Sequence, residues 1–400
     1  MFSFQLGVVE TLCLALALLL LGSYLAKNIN FLGKFCIPAP VIGGFLFAIV
    51  AAILRGFGLI EISLDTTLQS LFMLAFFTTV GLGASFTLIR KGGKLLVIYW
   101  LICGALAFIQ NVIGVSLAKV FGLQPLIGIM VGAVSMEGGH GGAAAFGETL
   151  ESLGIDSAVT VGLAAATLGL IAGGLVGGPI SKYLITKNNL KPNENAVNLV
   201  DLESAVKTDE KKLTANLFIN QVFIITLCMS LGTLLGKYFS EITGFVLPGY
   251  VGAMFVAIIV RNAMDKLKMK YFDLKGTTII GDLSLGIFLS MALMSIQLWQ
   301  LADMALPMVL IIAVQVIFMV LFTIFVVFRL LGKNFDAAVM AGGLAGHGLG
   351  ATPNAIANMD AITRKYGPSP TAFLIIPIVG AFLVDALYIP IILAFINFFS

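Results

Sequence analysis

Ten stretches of mostly apolar residues follow one another along this chain, each long enough to cross a bilayer. A spanning helix needs about 20 such residues, because a rise of about 1.5 Å per residue must cover a hydrocarbon core of about 30 Å. In the first half the stretches are residues 6–26, 38–58, 66–88, 95–119 and 157–180. In the second half they are 215–236, 245–263, 279–298, 307–331 and 371–397. Hydrophobic residues make up 59% of the chain and charged residues 11%, against roughly 45–50% and about 25% in soluble domains. The sequence therefore predicts an all-α polytopic membrane protein whose main partner is the lipid bilayer. A net charge of +3, held in short loops, gives no basis for nucleic-acid binding. No basic segment precedes the first span and further spans follow it, which predicts a retained helix rather than a cleaved leader.

Two more apolar segments, about 126–150 and 337–358, differ from the rest in being crowded with glycine. The first contains Glu137-Gly138-Gly139-His140-Gly141-Gly142, the second Gly346-His347-Gly348-Leu349-Gly350. Between them they hold both histidines of the chain, 207 positions apart. Irregular backbone at membrane depth persists only where protein or a water-filled cavity covers it. Basic residues cluster at Lys27 and Lys34, at Arg90, Lys91 and Lys94, and at Lys182, Lys187 and Lys191. Under the positive-inside rule these ends are cytoplasmic, and both chain termini lie on the other side. The turn carrying Glu148, Glu151 and Asp156 has no Lys or Arg and belongs outside. Both ends of 126–150 then share one face, which predicts a re-entrant hairpin entering from outside. In the second half Arg261, Lys266, Lys268 and Lys270 mark an inside loop, and Trp299–Asp303 an outside one. Arg329 and Lys333 precede 337–358, and Arg364 and Lys365 follow it, so the second hairpin enters from inside.

The halves share landmarks at one offset. Pro38-Ala39-Pro40-Val41 matches Pro248-Gly249-Tyr250-Val251, 210 later, and Gln110 matches Gln315, 205 later. An odd number of spans in each half makes the repeats opposite in orientation. The expected organisation is an N-terminal repeat, 1–186, a polar cytoplasmic linker, 187–214, and an inverted C-terminal repeat, 215–400. Inverted repeats with discontinuous elements near the midplane recur in secondary transporters.

Several residues suit such a site. Thr352-Pro353 after the second glycine run reads as an N-cap followed by Pro at the first helical position. A half-helix starting there would aim free N–H groups and a positive dipole end at an anionic carboxylate. Asn354 and Asn358, four apart, share one face of it. Carbonyls and N–H groups of Gly138, Gly139, Gly141 and Gly142 suit a cation or a carboxylate. His140 and His347 either touch substrate or stabilise their turns. Asp385, in the middle of the last span after Pro377 and Gly380, is a costly charge and a functional candidate. It and Glu137 have the same three options: Na⁺, a proton, or a substrate ammonium. Gln110 and Gln315 either line the path or tie helices together. Thr78, Thr79, Gly81 and Gly83 suggest unwinding of the third span, and Thr160 and Thr167 offer hydroxyl ligands. Cys13, Cys36, Cys103 and Cys228 have no paired spacing and read as reduced packing residues. Glu137 and His140 alone fall short of the three or four ligands of zinc, so no transition-metal centre is expected. No nucleophile–base pair points to an enzyme.

Gly138-Gly139-His140-Gly141, with Gly346-His347-Gly348-Leu349-Gly350-Ala351-Thr352-Pro353 and Ala355-Ile356-Ala357-Asn358-Met359, resembles the bacterial sodium/glutamate symporter family. Leu74-Ala75-Phe76-Phe77, Gln110-Asn111, Met291-Ala292-Leu293-Met294 and the closing Val379-Gly380-Ala381-Phe382 with Asp385 are similar too. The resemblance implies Na⁺-coupled uptake of L-glutamate across the bacterial inner membrane, with no cofactor besides the coupling ion. It also implies a homodimer of inverted five-helix repeats. Glu137 stands where the family often has Ser or Thr. On this basis Gly139, His140, Gly141, His347, Gly348, Gly350, Ala351, Thr352, Asn354 and Asn358 are expected to bind substrate. Glu137, Gly138, Gly142, Gln110, Gln315 and Asp385 are expected to hold Na⁺ or the ammonium. Another di- or tricarboxylate, carried with Na⁺ or H⁺, is the alternative substrate, and a passive channel is the reading from outside the transporter class.

Overall fold

The computed structural model describes residues 2–34, 37–192, 215–267, 269, 272–296 and 304–400. Cys36, Lys268, Lys270, the expected outside loop Trp299–Asp303 and most of the polar linker lie outside the described residues. What is described is almost wholly helical, and it is a multi-pass membrane protein. Seven of its helices are long and apolar enough to span a bilayer, or eight if one bent pair counts as a span.

In chain order the main helices are α1 (Val8–Asn28), α2 (Ala39–Gly56), α3 (Thr67–Gly83), α4 (Phe86–Val120, broken at Gly93), α5 (Pro125–Ile129), α6 (Gly139–Ser152) and α7 (Ala158–Lys187). Then come α8 (Ala215–Thr243), α9 (Gly249–Lys266), α10 (Leu274–Met294), α11 (Ala305–Phe322), α12 (Phe335–His347), α13 (Thr352–Tyr366), α14 (Pro370–Ile378) and α15 (Asp385–Phe399). Wide, five-residue π-turns extend α5 through Met130–Val134, α11 through Thr323–Val327 and α14 through Val379–Leu383. Proline opens several of these helices, where its missing N–H costs nothing: Pro38 and Pro248 precede α2 and α9, and Pro125 and Pro370 begin α5 and α14. Asp273 caps α10 by accepting from the Gly276 N–H at 2.8 Å, and Asn334 caps α12 by accepting from Ala337 N–H at 2.8 Å.

Two of the expected spans are interrupted. The expected span 66–88 stops at Gly83, giving α3 only 17 residues, about 25 Å at 1.5 Å per residue. The cause lies on α9, whose Asn262 Oδ1 accepts from Phe86 N–H at 2.8 Å while Asp265 Oδ2 accepts from the Ser85 hydroxyl at 2.5 Å. These acceptors turn the chain out of the helix. The last span is bent by 44° between α14 and α15, with Pro377 and Gly380 at the bend. The structure also adds two strands that the all-α expectation lacked. Strand β1 (Phe2–Leu6) pairs in parallel with β2 (Ile60–Leu64), Phe4 opposite Ile62. Beyond β2, the Thr67 hydroxyl and N–H donate to Asp65 at 2.5 and 3.0 Å and hold its carboxyl below the usual carboxylate range.

The helices pack as two groups. In the first, α1 lies on α2 and α10, α8 lies on α9, and α3 lies on both α9 and α10. In the second, α7 packs against α6, α12 and α13, while α4 packs against α5 and α15. Glycine lets backbones meet in the first group: a Cβ at Gly22 would lie 1.9 Å from the Ala39 carbonyl oxygen, and one at Gly232 would lie 2.2 Å from the Ala253 Cα. The groups touch through α10 against α6 and α3 against the Val379–Leu383 turn. Side chains link them as well, Gln69 of α3 donating to Glu148 of α6 and Asn397 of α15 bonding the backbone of Val246. A cavity lies where these groups meet.

Candidate functional site

Each glycine-rich segment is a helix–break–helix unit, and a polar side chain of α4 takes up a backbone group at each break. In the first unit the helix is lost at Gly132 (φ −93°, ψ −136°). Asn111 of α4 accepts from the Ala133 N–H at 3.0 Å, and the Ser135 hydroxyl donates to the Gly162 carbonyl of α7 at 2.8 Å. In the second unit α12 ends at His347 and α13 begins at Thr352. Gln110 of α4 donates to the Gly348 carbonyl at 2.7 Å, and Gln315 of α11 donates to the Gln110 carbonyl at 2.8 Å. A chain of amides thus runs from α11 through α4 to the second loop. Unsatisfied carbonyls at this depth would cost several kcal/mol each, on the order of the penalty for any unpaired polar group in hydrocarbon.

The two breaks meet. Gly139 has φ +57°, and a Cβ there would lie 2.7 Å from the Gly350 carbonyl oxygen. A cavity of about 510 Å³ opens beside this contact. The candidates Glu137, Gly138, Gly139, His140, Gly141, Gly142, His347, Gly350, Ala351, Thr352 and Asp385 all line it. Five expected site residues do not. Gln110 and Gln315 support the loops as described, and Gly348 is the group they support. Asn354 donates to the Leu170 carbonyl at 2.6 Å, and Asn358 to the carbonyls of Gly173 at 3.0 Å and Gly342 at 3.3 Å. The shared face of the two asparagines is pressed against α7 rather than turned to the cavity.

Thr352 sits one position later than its expected capping role. Ala351 is the extended N-cap residue (φ −165°, ψ 161°), and no side chain caps the helix. Within the loop the N–H groups of Gly348, Gly350, Ala351 and Asn354 already donate to Leu344, His347, Gly346 and Ala351 carbonyls. Pro353 has no N–H, so the Thr352 N–H and hydroxyl are the donors this helix start offers the cavity. Nor is the third span unwound: Thr78 and Thr79 donate to the Leu74 and Phe76 carbonyls, both at 2.7 Å, inside a regular α3.

His140 Nε2 lies 3.0 Å from the Thr167 hydroxyl, which itself donates to the Leu163 carbonyl at 2.9 Å. With its proton committed there, the Thr167 oxygen accepts from His140 Nε2–H, leaving Nδ1 as the acceptor nitrogen. His347 is buried and its Nδ1 has no partner. Glu137 is buried too, and apart from the Cys103 thiol beside it neither carboxylate oxygen has a hydrogen-bond partner. Asp385, half-buried at the start of α15, faces the same cavity.

Further lining residues escaped the sequence reading. The Tyr388 hydroxyl fills the space over Gly138, where a Cβ would lie 1.8 Å from it. Asp282 and Leu285 of α10 and Phe76 of α3 form the opposite wall. Tyr388, Leu285 and Phe76 carry no local mark, whereas Asp282 is a charge inside the expected span 279–298, the same signal that singled out Asp385. None of the lining residues described is Lys or Arg, so the only ionic side chains at the cavity are carboxylates. Thr160 belongs elsewhere, in a cavity of about 900 Å³ beside Glu148, Glu151 and Asp156.

A multi-pass helical protein whose two broken helical units meet beside a cavity bearing Glu137, Asp282 and Asp385 belongs to the class of membrane carriers. More specifically, the chain belongs to the sodium/glutamate symporter family, whose model matches residues 4–368. It is 40% identical over 388 residues to the sodium/glutamate symporter of Escherichia coli (strain K12), covering 96% of this chain and 95% of that one. The Shigella flexneri relative of the same description has the same identity and coverage, and that of Haemophilus influenzae is 40% identical over 386 residues, again at 96% and 95%. Among solved structures, a sodium proton antiporter from Methanocaldococcus jannaschii aligns at TM-score 0.44 and 15% identity, over 98% of both chains. A likeness at that level assigns neither fold nor function.

Proposed function

We propose that this chain takes up L-glutamate together with Na⁺ across the bacterial inner membrane, by alternating access. The observation that carries the reading is the cavity at the meeting of the glycine loops, bounded by Glu137, Asp385 and Asp282 with no Lys or Arg among its described lining. L-Glutamate has two carboxylates and one ammonium. Two like charges about 5 Å apart, at an effective dielectric of about 20, repel by about 3 kcal/mol. One such pair would weaken binding more than a hundredfold. Cations bound between protein and substrate carboxylates turn that repulsion into attraction, so Na⁺ loads before glutamate. Coupling follows, because a ligand shifts a conformational equilibrium only through differential affinity for its states.

Asp385, Glu137 and the carbonyls around Gly138 and Gly142 hold Na⁺ in this scheme. Substrate meets the Thr352 N–H and hydroxyl, the backbone of Gly139, Gly141, Gly350 and Ala351, and the imidazoles of His140 and His347. Asn354, Asn358, Gln110 and Gln315 hold the loops in place, and Gly348 is the point they anchor.

The loop units are re-entrant hairpins in two inverted repeats, 1–186 and 215–400, with both termini outside and the linker cytoplasmic. Support comes from the way the halves share the packing. Helices α1–α3 and α8–α10 make one group, α4–α7 and α11–α15 the other, so each half gives its first three helices to the first group and the remainder to the second. The close glycine contacts repeat as well: Gly22 with Gly43 between α1 and α2 corresponds to Gly232 with Gly252 between α8 and α9, at offsets of 210 and 209. The group carrying both hairpins moves against the other, which opens and closes the cavity at their boundary. Liposomes containing the purified protein should accumulate labelled L-glutamate only under an inward Na⁺ gradient. Equal accumulation without the gradient rejects the reading.

A further inference from the structure

At the wall of the cavity, Cys103 of α4, Glu137 of the first loop and His347 at the end of α12 converge. One ligand atom from each lies within 4.8 Å of the other two, and all three residues are buried. Both Glu137 oxygens and His347 Nδ1 lack hydrogen-bond partners other than the neighbouring thiol. Buried polar groups left this way require a reason, and a bound ion is one. A hard monovalent ion is a poor match for sulfur and imidazole, whereas borderline and soft divalent ions favour both.

We propose that Cys103, Glu137 and His347 bind one thiophilic divalent cation of the Zn²⁺ class, which pins both glycine loops to α4. A tetrahedral sphere with ligand bonds of about 2.0–2.3 Å sets ligand atoms roughly 3.5 Å apart. Side-chain rotations of about an ångström close the present arrangement onto that geometry. Glu137 and His347 line the cavity, which supplies the entry path and leaves the fourth position open to water. On binding, the Cys103 S–H bond breaks, sulfur donates the freed electron pair to the metal, and the proton leaves to water. One thiolate and one carboxylate cancel the two positive charges, so the filled site is electrically neutral. The arrest of transport that pinning would cause rests on the carrier reading above, while the binding itself does not.

The binding test uses Cd²⁺ as probe on the full-length protein in lipid nanodiscs without Na⁺, read by the thiolate-to-Cd²⁺ ultraviolet band. With Cys13→Ala, Cys36→Ala and Cys228→Ala in place, one equivalent should saturate the band and Zn²⁺ should displace it. Cys103→Ala abolishes it. Glu137→Gln and His347→Gln each weaken it by more than the ~10–100-fold typical of losing only an outer-shell partner. If the three-alanine background fails to fold, the wild type against Cys103→Ala alone gives the same comparison. A band absent at one equivalent, or unchanged by Glu137→Gln and His347→Gln, overturns the site. In proteoliposomes, Zn²⁺ should block Na⁺-driven glutamate uptake by the wild type and spare Cys103→Ala. A bound metal with undiminished uptake overturns the pinning, and absence of uptake in metal-free protein is a failure of the carrier reading alone.

Discussion

Replacing Gly139 with alanine tests whether the contact between the loops is the working part of the site. Two costs follow from the structure. At φ +57° an L side chain pays roughly 1–2 kcal/mol for left-handed backbone. The new Cβ would also lie 2.7 Å from the Gly350 carbonyl oxygen, and overpacking of this kind costs about 1–3 kcal/mol. That oxygen belongs to backbone held between α12 and α13, so the contact is relieved by parting the loops. Together the costs reach about 2–5 kcal/mol, and at about 1.4 kcal/mol per factor of ten they reduce the population with apposed loops by roughly thirtyfold to a few thousandfold. Gly154→Ala is the control, because Gly154 also has positive φ (+86°) but open space around its Cβ position. Na⁺-driven uptake, normalised to folded protein by size-exclusion elution, should collapse for Gly139→Ala and stay near wild type for Gly154→Ala. Equal effects of the two substitutions would refute the role of the loop contact.

Asp385→Asn should raise the Na⁺ concentration needed for half-maximal uptake while leaving folded yield unchanged; an unaltered Na⁺ dependence removes Asp385 from the ion site. Asn358→Ala takes the donor from the Gly173 and Gly342 carbonyls and should destabilise the fold by about 1–3 kcal/mol, read as a lower thermal midpoint. Unchanged stability with weakened glutamate binding would instead place that amide in the substrate site. Gln110→Leu strips the Gly348 carbonyl of its donor and should cost a similar ~1–3 kcal/mol, with faster hydrogen exchange in the second loop. Protection equal to wild type would show that the amide chain does not hold the loop.

Much of the site was legible because glycine records what the backbone does. The two runs around His140 and His347 marked both breaks, and the structure sets those breaks against each other. The polar residues beside them were harder to read. A spacing of four places Asn354 and Asn358 on one face of α13, but spacing cannot say whether that face meets a cavity or the carbonyls of α7. Thr352 was one residue off because Pro353 is as acceptable at the second helical position as at the first. The early end of α3 depends on Asn262 and Asp265, nearly 180 residues away in the chain; Gly81 and Gly83 marked a weak point within 66–88, but not that the helix stops there. Cys103, Glu137 and His347 come from three separate elements, so no linear pattern links them. The β2 strand has its own period-two signature in the alternation Ile60-Glu61-Ile62-Ser63-Leu64, but five residues between two long apolar spans carry little weight against them.

In the proposed mechanism an anionic substrate enters the cavity beside Glu137, Asp282 and Asp385 only after cations have loaded. Equilibrium binding of labelled L-glutamate to the purified protein in nanodiscs, with Na⁺ replaced stepwise by choline at constant ionic strength, tests it most directly. No saturable binding is expected in choline; affinity should climb with Na⁺, and Na⁺ affinity should rise reciprocally with glutamate, as linkage requires. Glutamate bound equally tightly in choline and in Na⁺ would contradict it.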